Sequence, residues 1–280
     1  MGNNRRKQIT NTHRVVIPEI TPLEIWDCIT PQGILWDSMY KQDFPEILKN
    51  VIQQIHVGLA VTASQLEINP AAMAFDAIYV AGGGALDPRI IHSLKQLSVP
   101  IIVAEDPVFS GVPGGNKILA NHGLEGIVID VGQTQIKIAS VGGLHTFKRD
   151  FDSIPIRSEA ETDQDVAQLQ AFVRYVSSSI VEAIKDTAKP KGIVLALPCD
   201  INHDGILGGS SYTGMKNNTD LVDSIIRHAN LEDVQVLLLN DAELTAASAL
   251  QDKNVIKFKK ILVITLGFAV GATILEPKCD

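Results

Sequence analysis

At residues 127–137 the sequence reads IVIDVGQTQIK: an apolar run, a turn with one glycine, and a second run that ends at Lys137. Asp130 lies at the end of the apolar run, and its carboxylate is suited to holding Mg²⁺ through water. Gly132 permits a tight turn and lets backbone amides approach a phosphate, and Thr134 adds a hydroxyl. The same segment is equally compatible with an ordinary β-hairpin whose turn binds nothing.

Outward from this hairpin, short apolar runs rich in β-branched residues alternate with longer stretches of helical spacing, which is the pattern of an α/β protein. A change of composition at residues 120–126, ANHGLEG, marks a candidate domain boundary. The predicted strands are 34–36, 77–80, 101–104, 126–129, 135–141, 144–151, 192–196, 236–239 and a hairpin pair within 260–275. The predicted helices are 43–66, 88–97, 116–121, 162–188, 218–229 and 242–249.

A second hairpin is predicted at residues 261–275, ILVITLGFAVGATIL, with its turn around Thr265, Gly267 and Gly271. Two such hairpins suit a site that binds a triphosphate from both sides. The alternative is a buried hairpin whose glycines allow close packing. The run is also too short to cross a membrane, because a membrane span needs roughly 18 or more apolar residues.

A third glycine turn follows the predicted strand in residues 78–86, IYVAGGGAL. Gly82, Gly83 and Gly84 expose backbone that suits a nucleobase or ribose, and the N-terminus of the next helix favours anionic groups. The segment is neither a P-loop nor a dinucleotide fingerprint, because it lacks GK[ST] and the GxGxxG spacing. A plain strand-to-helix turn is the alternative.

Residues 236–250, VLLLNDAELTAASAL, read as an apolar strand that ends in Asn240 and Asp241 before a helix of small residues. Open α/β sheets bind ligands outside the carboxyl ends of their strands. Asp241 is therefore well placed to take a proton from a substrate hydroxyl. Its alternative role is a helix N-cap, for which aspartate is a preferred residue.

Composition limits the classes of function. The 280 residues are 45% hydrophobic and 20% charged, enough apolar material for one large core or two smaller ones. The formal net charge of −8 argues against nucleic acid or an anionic membrane as partner. The three cysteines form neither a disulfide framework nor a zinc pattern, and no secretory signal is recognisable, so a cytoplasmic location is expected. A mean hydropathy of +0.14 is compatible with a homodimer.

Taken together, these motifs resemble the nucleotide-binding half of the ROK sugar kinases, a family within the actin, hexokinase and heat-shock chaperone superfamily. The resemblance covers residues 126–277. The matching motifs, in the family's order, are Asp130-Gly132-Thr134-Lys137, the segment GIVLALPCDINHDG at 192–205, Asn240-Asp241-Ala242, and Thr265-Leu266-Gly267 with Gly271.

The resemblance implies a two-lobed actin-like ATPase (ribonuclease H-like) fold and an ATP-dependent phosphotransferase that acts on a hydroxyl of a small polar molecule, with ATP and Mg²⁺ as cofactors. It implies Asp241 as general base, Asn240 as the residue that helps to orient the acceptor, and Asp130 as the residue that positions Mg²⁺. The remaining implied nucleotide-binding residues are Gly132, Thr134, Lys137, Thr265, Gly267, Gly271, Gly82, Gly83 and Gly84.

The family continues past its second phosphate hairpin, whereas this sequence ends at Asp280. Residues 34–121 read as the missing part, which predicts a circular permutation; a truncated kinase preceded by an unrelated domain is the rival interpretation. The predicted divisions are a disordered tail at 1–14, a lobe at 15–122 with the adenosine-type glycine loop, a lobe at 123–258 with the first phosphate loop and Asp241, and a second phosphate hairpin at 259–280 that packs with the 15–122 lobe.

Departures from the family pattern keep other functions open. Gln133 and Cys199 stand where the kinases usually carry glycine, Phe268 and Ala269 replace a threonine and a glycine of the second loop, and the family's Glu-x-Gly-His sugar segment has no counterpart. The alternatives are therefore a non-kinase actin-like ATPase or reactivating factor that acts on a protein partner, and a degenerate nucleotide-binding module. The segment 208–217, GGSSYTGMKN, is predicted either to contact the acceptor or to be a solvated loop.

Overall fold

The computed structural model describes residues 11–23, 45, 48–49, 52, 75–155, 166–267 and 270–278. Over these residues the protein is a mixed α/β structure, which confirms the α/β part of the predicted fold class. The predicted strand 34–36 and most of the predicted helix 43–66 lie outside the described residues. No helix within the described ranges is both long and apolar enough to cross a lipid bilayer.

The elements follow the predicted alternation along the chain. The strands are β1 (Asn11–Arg14), β2 (Ile20–Leu23), β3 (Ala77–Ala81), β4 (Ile101–Val103), β5 (Gly126–Val131), β6 (Gln135–Ser140), β7 (Gly143–Lys148), β8 (Gly192–Leu197), β9 (Gln235–Asn240), β10 (Ile261–Leu266) and β11 (Val270–Leu275). The helices are α1 (Pro88–Leu94), α2 (Val112–Asn121), α3 (Val166–Ile184), α4 (Leu221–His228) and α5 (Asp241–Ala249), with a short 3₁₀ helix at Gly83–Leu86.

The chain divides into two compact units. Unit 1 comprises Met1–Val16 and Gly115–Asp241, and unit 2 comprises Ile17–Gly114 and Ala242–Asp280. The boundaries fall after residues 16, 114 and 241, whereas the sequence suggested boundaries after 14, 122 and 258. Each unit is built around one mixed β-sheet.

The sheet of unit 1 has the order β1-β9-β8-β5-β6-β7. β5, β6 and β7 form an antiparallel meander, and β8, β9 and β1 continue from β5 as parallel strands. All six residues of β8 are buried, as expected for a central strand that is covered on both faces. On one face the apolar stripe of α3, represented by Phe172, Val176 and Ile180, packs into a core with the inward side chains of β5, β6 and β8.

The sheet of unit 2 has the order β2-β11-β10-β3-β4. The β10–β11 hairpin is antiparallel, β2 pairs antiparallel with β11, and β3 and β4 continue from β10 as parallel strands. This is the strand pattern of β7-β6-β5-β8-β9 in unit 1. The two sheets differ in chain order, because the three strands that complete the β10–β11 hairpin precede it in sequence.

Two strands, β1 and β2, were not predicted from the sequence. Residues 11–14, predicted to belong to a disordered tail, form β1 and pair with β9, and Val15 extends this pairing with an N–H donated to the Leu238 carbonyl at 2.8 Å. That prediction was wrong for these residues because edge pairing uses backbone groups, which the polar sequence NTHR does not reveal. β2 contains Pro22, which a strand at the edge of a sheet tolerates.

Helix α2 begins at Val112 instead of the predicted residue 116, and its first turn includes Gly114 and Gly115. A Cβ at Gly114 would lie 2.4 Å from the Ser248 nitrogen, and the Gly114 N–H donates to Ser248 Oγ at 2.7 Å. A Cβ at Gly115 would lie 2.4 Å from Val128. Glycine is required here by close packing, which overrides its low helix propensity.

Candidate functional site

The carboxyl ends of the parallel strands of unit 1 carry three of the predicted site residues. Asp130 lies near the end of β5, Asn240 is the last residue of β9, and Asp241 begins α5. Asp130 pairs in register with Ala196 of β8, and Asn240 pairs with Leu197. Asp130 and Asn240 therefore flank β8 at nearly the same level, about 10 Å apart at their backbones, given the usual strand spacing.

Asp130 and Lys137 form a cross-strand ion pair. They are register partners on β5 and β6, and Lys137 Nζ lies 2.7 Å from Asp130 Oδ2. The side chains are only 20% and 15% exposed, so solvent screens this pair less than it would a surface pair. Within the described residues the second carboxylate oxygen of Asp130 has no hydrogen-bond partner and is open to a hydrated cation.

The turn between these two strands is held by its carbonyl groups. The Gly132 N–H donates to the Gln135 carbonyl at 3.0 Å and closes the turn. The Gly132 carbonyl accepts from Tyr212 Oη at 2.7 Å, and the Gln133 carbonyl accepts from Arg149 Nη1 at 2.9 Å. The backbone N–H groups of Gln133 and Thr134 have no acceptor within the described part of the chain.

Arg149 is the residue that sequence reasoning missed. It is 4% exposed, and its five N–H donors meet five acceptors: the carbonyls of Gln133, Ile154, Pro155 and Ser211, and Ser211 Oγ. None of these five acceptors is a carboxylate. Burial lowers the pKa of Arg149, an effect opposed by the neighbouring tyrosines. In the sequence FKRDFD no local feature distinguishes Arg149 from an exposed, solvated arginine.

Tyr212 lies under the same turn. The Arg149 guanidinium lies over its ring, with Cζ 3.8 Å from the ring centroid, and the Phe172 ring packs against it in a tilted arrangement with the centroids 4.4 Å apart. Tyr212 and Met215 are 1% and 0% exposed, so the reading of 208–217 as a solvated loop was wrong. The signal available in the sequence was an aromatic residue and a methionine inside an otherwise polar, glycine-flanked segment. Burial raises the pKa of Tyr212 well above its usual range.

Asn240 and Asp241 sit at the junction of β9 and α5, where both are half-buried. Asn240 Nδ2 donates to the Cys199 carbonyl at 2.8 Å, which fixes the side-chain amide across the carboxyl end of β8. The Cys199 thiol itself is buried, and burial raises its pKa well above its usual range. Cys199 is therefore an unreactive packing residue.

In unit 2 the glycine turn and the second hairpin meet at the carboxyl ends of β3 and β10. Thr265 pairs with Ala81 and with Gly271. Gly82 has φ +84°, and a Cβ there would lie 2.5 Å from the Leu266 carbonyl oxygen. A Cβ at Gly84 would lie 2.8 Å from Leu266 Cβ, whereas nothing lies within 4 Å of one at Gly83. Two of the three glycines thus serve packing, and only Gly83 presents open backbone.

The remaining members of the predicted second loop occupy the same edge. Gly267 is exposed directly after β10, and the half-buried Gly271 lies near the start of β11. Phe268 and Ala269, between them, lie outside the described residues. Each unit thus brings its own group of predicted site residues to the carboxyl edge of its own sheet.

The arrangement of possible metal ligands limits the kind of metal site that the described residues can form. Nowhere in the described ranges do three or more His, Cys, Asp or Glu side chains come together in a group able to hold a metal. Mg²⁺ does not need such a cage, because it retains several waters and is usually held by one or two carboxylates and the phosphates of a substrate. The open oxygen of Asp130 fits that role.

A polar cleft of about 640 Å³ lies elsewhere in unit 1. It is lined by β1, the 203–207 loop and the beginning of α4, and none of the predicted site residues lines it.

Comparison with protein-family models, with curated proteins and with solved structures found no match. The function of the chain is therefore inferred from the two sheet edges.

Proposed function

We propose that this protein is an ATP-dependent phosphotransferase of the two-lobed actin-like, ribonuclease H-like fold, acting on a hydroxyl of a small polar molecule. The observation that carries the proposal is the repeated strand pattern: each sheet contains an antiparallel hairpin with two parallel strands beside it, and residues predicted to bind phosphate lie at the carboxyl edge of each sheet. Ligands of open α/β sheets bind at that edge.

The circular permutation is supported by the pairing of unit 2. β2, β3 and β4 come from residues 20–103, yet they complete a sheet around a hairpin from residues 261–275. An unrelated N-terminal domain in front of a truncated kinase would have no reason to supply the third, fourth and fifth strands of that sheet. Backbone pairing across this gap in sequence is what the permuted order requires.

The turn at Gly132 is the proposed phosphate-binding element. Two open backbone N–H groups and the Thr134 hydroxyl supply neutral donors, and the Lys137 ammonium supplies charge. Mg²⁺, held by Asp130 and the substrate phosphates, would neutralise charge on the transferred group. Asp130 and Lys137 hold each other in place beside the turn.

Asp241 is the proposed general base. An acceptor hydroxyl would give its proton to the Asp241 carboxylate as its oxygen forms the new bond to the γ-phosphorus, and ADP leaves with the electrons of the broken P–O bond. Asn240, held by the Cys199 carbonyl, would help to orient the acceptor. In unit 2, Gly83 is the exposed glycine available to a nucleoside.

The experiment is a measurement of ADP formation from Mg-ATP with pools of sugars and polyols. Asp241→Asn should lower acceptor-dependent turnover by about 10²- to 10⁴-fold, the usual contribution of general base catalysis, and leave ATP affinity within about twofold. Asp233→Asn is the matched control, because Asp233 precedes the opposite end of β9, carries the same charge and is 95% exposed.

The outcomes separate the candidates. Acceptor-dependent turnover retained in Asp241→Asn would remove Asp241 from catalysis. Hydrolysis that only a protein accelerates would indicate the partner-driven ATPase, and binding without any turnover would indicate a nucleotide-binding module. Gln133 Oε1 accepts a hydrogen bond from Ser211 Oγ. Because Gln133 has a specific partner in the folded unit, its presence in the first loop argues against a loop that has merely lost its function.

A further inference from the structure

The turn Gly132–Gln135 is tied to the interior of unit 1 by three side chains, Arg149, Ser211 and Tyr212, which we call the Arg149 clamp. Tyr212 donates to the Gly132 carbonyl, and Arg149 donates to the Gln133 carbonyl. The Ser211 hydroxyl donates to the Gln133 side chain and accepts from Arg149 Nη1 at 2.9 Å. The clamp therefore contacts both consecutive carbonyls of the turn from the buried side.

Those two contacts decide which way the next two amides point. In a planar trans peptide the C=O and the N–H that follows it are antiparallel. The Gly132 carbonyl shares a peptide plane with the Gln133 N–H, and the Gln133 carbonyl shares one with the Thr134 N–H. Because both carbonyls face the clamp, both N–H groups face away from it. Two adjacent amides directed outward are the elements of an anion-binding nest.

The clamp also places a positive charge behind these amides. Arg149 is a buried cation whose five hydrogen-bond acceptors are carbonyls and a hydroxyl, so none of them neutralises its charge. A charge in a low-dielectric interior acts over a longer distance than one in water. Arg149 therefore favours an anion on the outer side of the turn without touching it.

We propose that Arg149 and Tyr212 are positioning residues that orient the Gln133 and Thr134 amides outward and so form the binding nest for a terminal phosphate. This proposal rests on the proposed function, because it assigns the phosphate to this turn. It goes beyond that function in naming the residues that determine the affinity of the turn for phosphate. Neither residue bonds to the ligand in this arrangement.

Tyr175 provides a matched control within the same core. Its hydroxyl donates to the Phe147 carbonyl at 2.7 Å, as the Tyr212 hydroxyl does to the Gly132 carbonyl; Tyr175 is half-buried and Tyr212 is buried. Tyr175→Phe and Tyr212→Phe each remove one hydroxyl that donates to a backbone carbonyl. Only Tyr212→Phe releases a carbonyl of the turn. A purely structural role for these hydroxyls predicts similar effects of the two changes.

The probe is inorganic tripolyphosphate in Mg²⁺-free buffer, titrated calorimetrically into the full chain. Tyr212→Phe should weaken binding about 3- to 10-fold, the value of one hydrogen bond that holds the turn, whereas Tyr175→Phe should stay within about twofold of the unmodified protein. In amide NMR spectra, the Gln133 and Thr134 N–H signals should shift on titration and should be displaced by Tyr212→Phe before any ligand is added.

A substitution of Arg149 that keeps its positive charge provides a second test. Arg149→Lys keeps a cation but loses the forked donors, so it should also weaken binding; thermal melts report whether it folds, and Tyr212→Phe decides the question if it does not. Equal affinities for the two tyrosine variants, or unmoved Gln133 and Thr134 signals, would overturn the proposal. An unmodified protein that binds neither tripolyphosphate nor ATP would instead overturn the proposed function, and this inference with it.

Discussion

The two sheets share one strand pattern, yet their carboxyl edges are held in different ways. In unit 1 the turn after β5 is held by side chains, namely the Arg149 clamp and the Asp130–Lys137 pair. In unit 2 the end of β10 packs directly against glycines, because Gly82 and Gly84 approach Leu266 too closely to admit a Cβ. Side-chain substitutions can therefore change the carboxyl edge of unit 1, which carries the proposed phosphate site. The carboxyl edge of unit 2, which we call the glycine edge, tolerates no side chain at Gly82 or Gly84.

The largest expected effect breaks the glycine edge. Gly82 has φ +84° and ψ 168°, a combination essentially confined to glycine, and an added Cβ would lie 2.5 Å from a backbone oxygen. Gly82→Ala should cost about 4 kcal/mol of unfolding free energy, from backbone strain and overpacking together. Urea denaturation followed by circular dichroism measures this.

Gly83→Ala is the matched control for Gly82→Ala. The two residues are neighbours, but nothing lies within 4 Å of a Cβ at Gly83. Its cost should be below about 0.5 kcal/mol, the usual size of a surface substitution, so that its effect on ATP affinity can be measured on a folded protein. Similar losses of stability in the two variants would contradict the assignment of Gly82 to packing.

The second effect breaks the clamp of unit 1. Arg149→Met fills much of the same volume but leaves several buried carbonyls without donors, which should cost about 3 kcal/mol. Hydrogen exchange should show lost protection in β5 and β6 with protection in β10 and β11 unchanged. Arg174→Met, at an exposed arginine of α3, controls for the loss of an arginine. A uniform loss over both sheets would contradict a role confined to the turn.

How far the sequence predicted the fold follows from where apolar residues lie. β5, β8, β9, β3 and the β10–β11 hairpin are marked by runs of buried β-branched and aliphatic residues, and periodicity locates them within a few residues. β1 and β2 are four-residue edge strands with polar or proline-containing sequences. Their pairing depends on backbone groups of a distant strand, which no local pattern records.

The residues of the candidate site also differ in whether a local sequence pattern predicts them. Asp130, Asn240 and Asp241 were predicted because each ends or follows an apolar strand, so local pattern and sheet topology were sufficient. Arg149 was not predicted, because its five acceptors come from three segments, around residues 133, 154–155 and 211, that only the folded chain brings together. The glycines of 82–84 were predicted to bind a ligand, whereas close packing against Leu266 of β10 accounts for two of them.

The smallest expected effect compares a tyrosine in each unit. Burial raises the pKa of Tyr175 in unit 1 to about 12, partly offset by a backbone hydrogen bond and the Arg149 charge. Burial, and then the Asp252 charge, raise the pKa of Tyr79 in unit 2 to about 12. Because both values in the folded state exceed the unfolded value near 10, this contribution to stability is complete below about pH 10 and is lost as the pH rises towards 12.

Arg149→Met separates the two tyrosines. Removing the cation removes a charge that favours the phenolate, so the pKa of Tyr175 should rise further while that of Tyr79 stays where it is. NMR of ¹³Cζ-labelled tyrosine, assigned with Tyr175→Phe and Tyr79→Phe, follows each group through the titration. A Tyr175 that titrates earlier in the variant would mean that the loss of Arg149 opens the core to water. In that case the clamp closes unit 1 as well as orienting its turn.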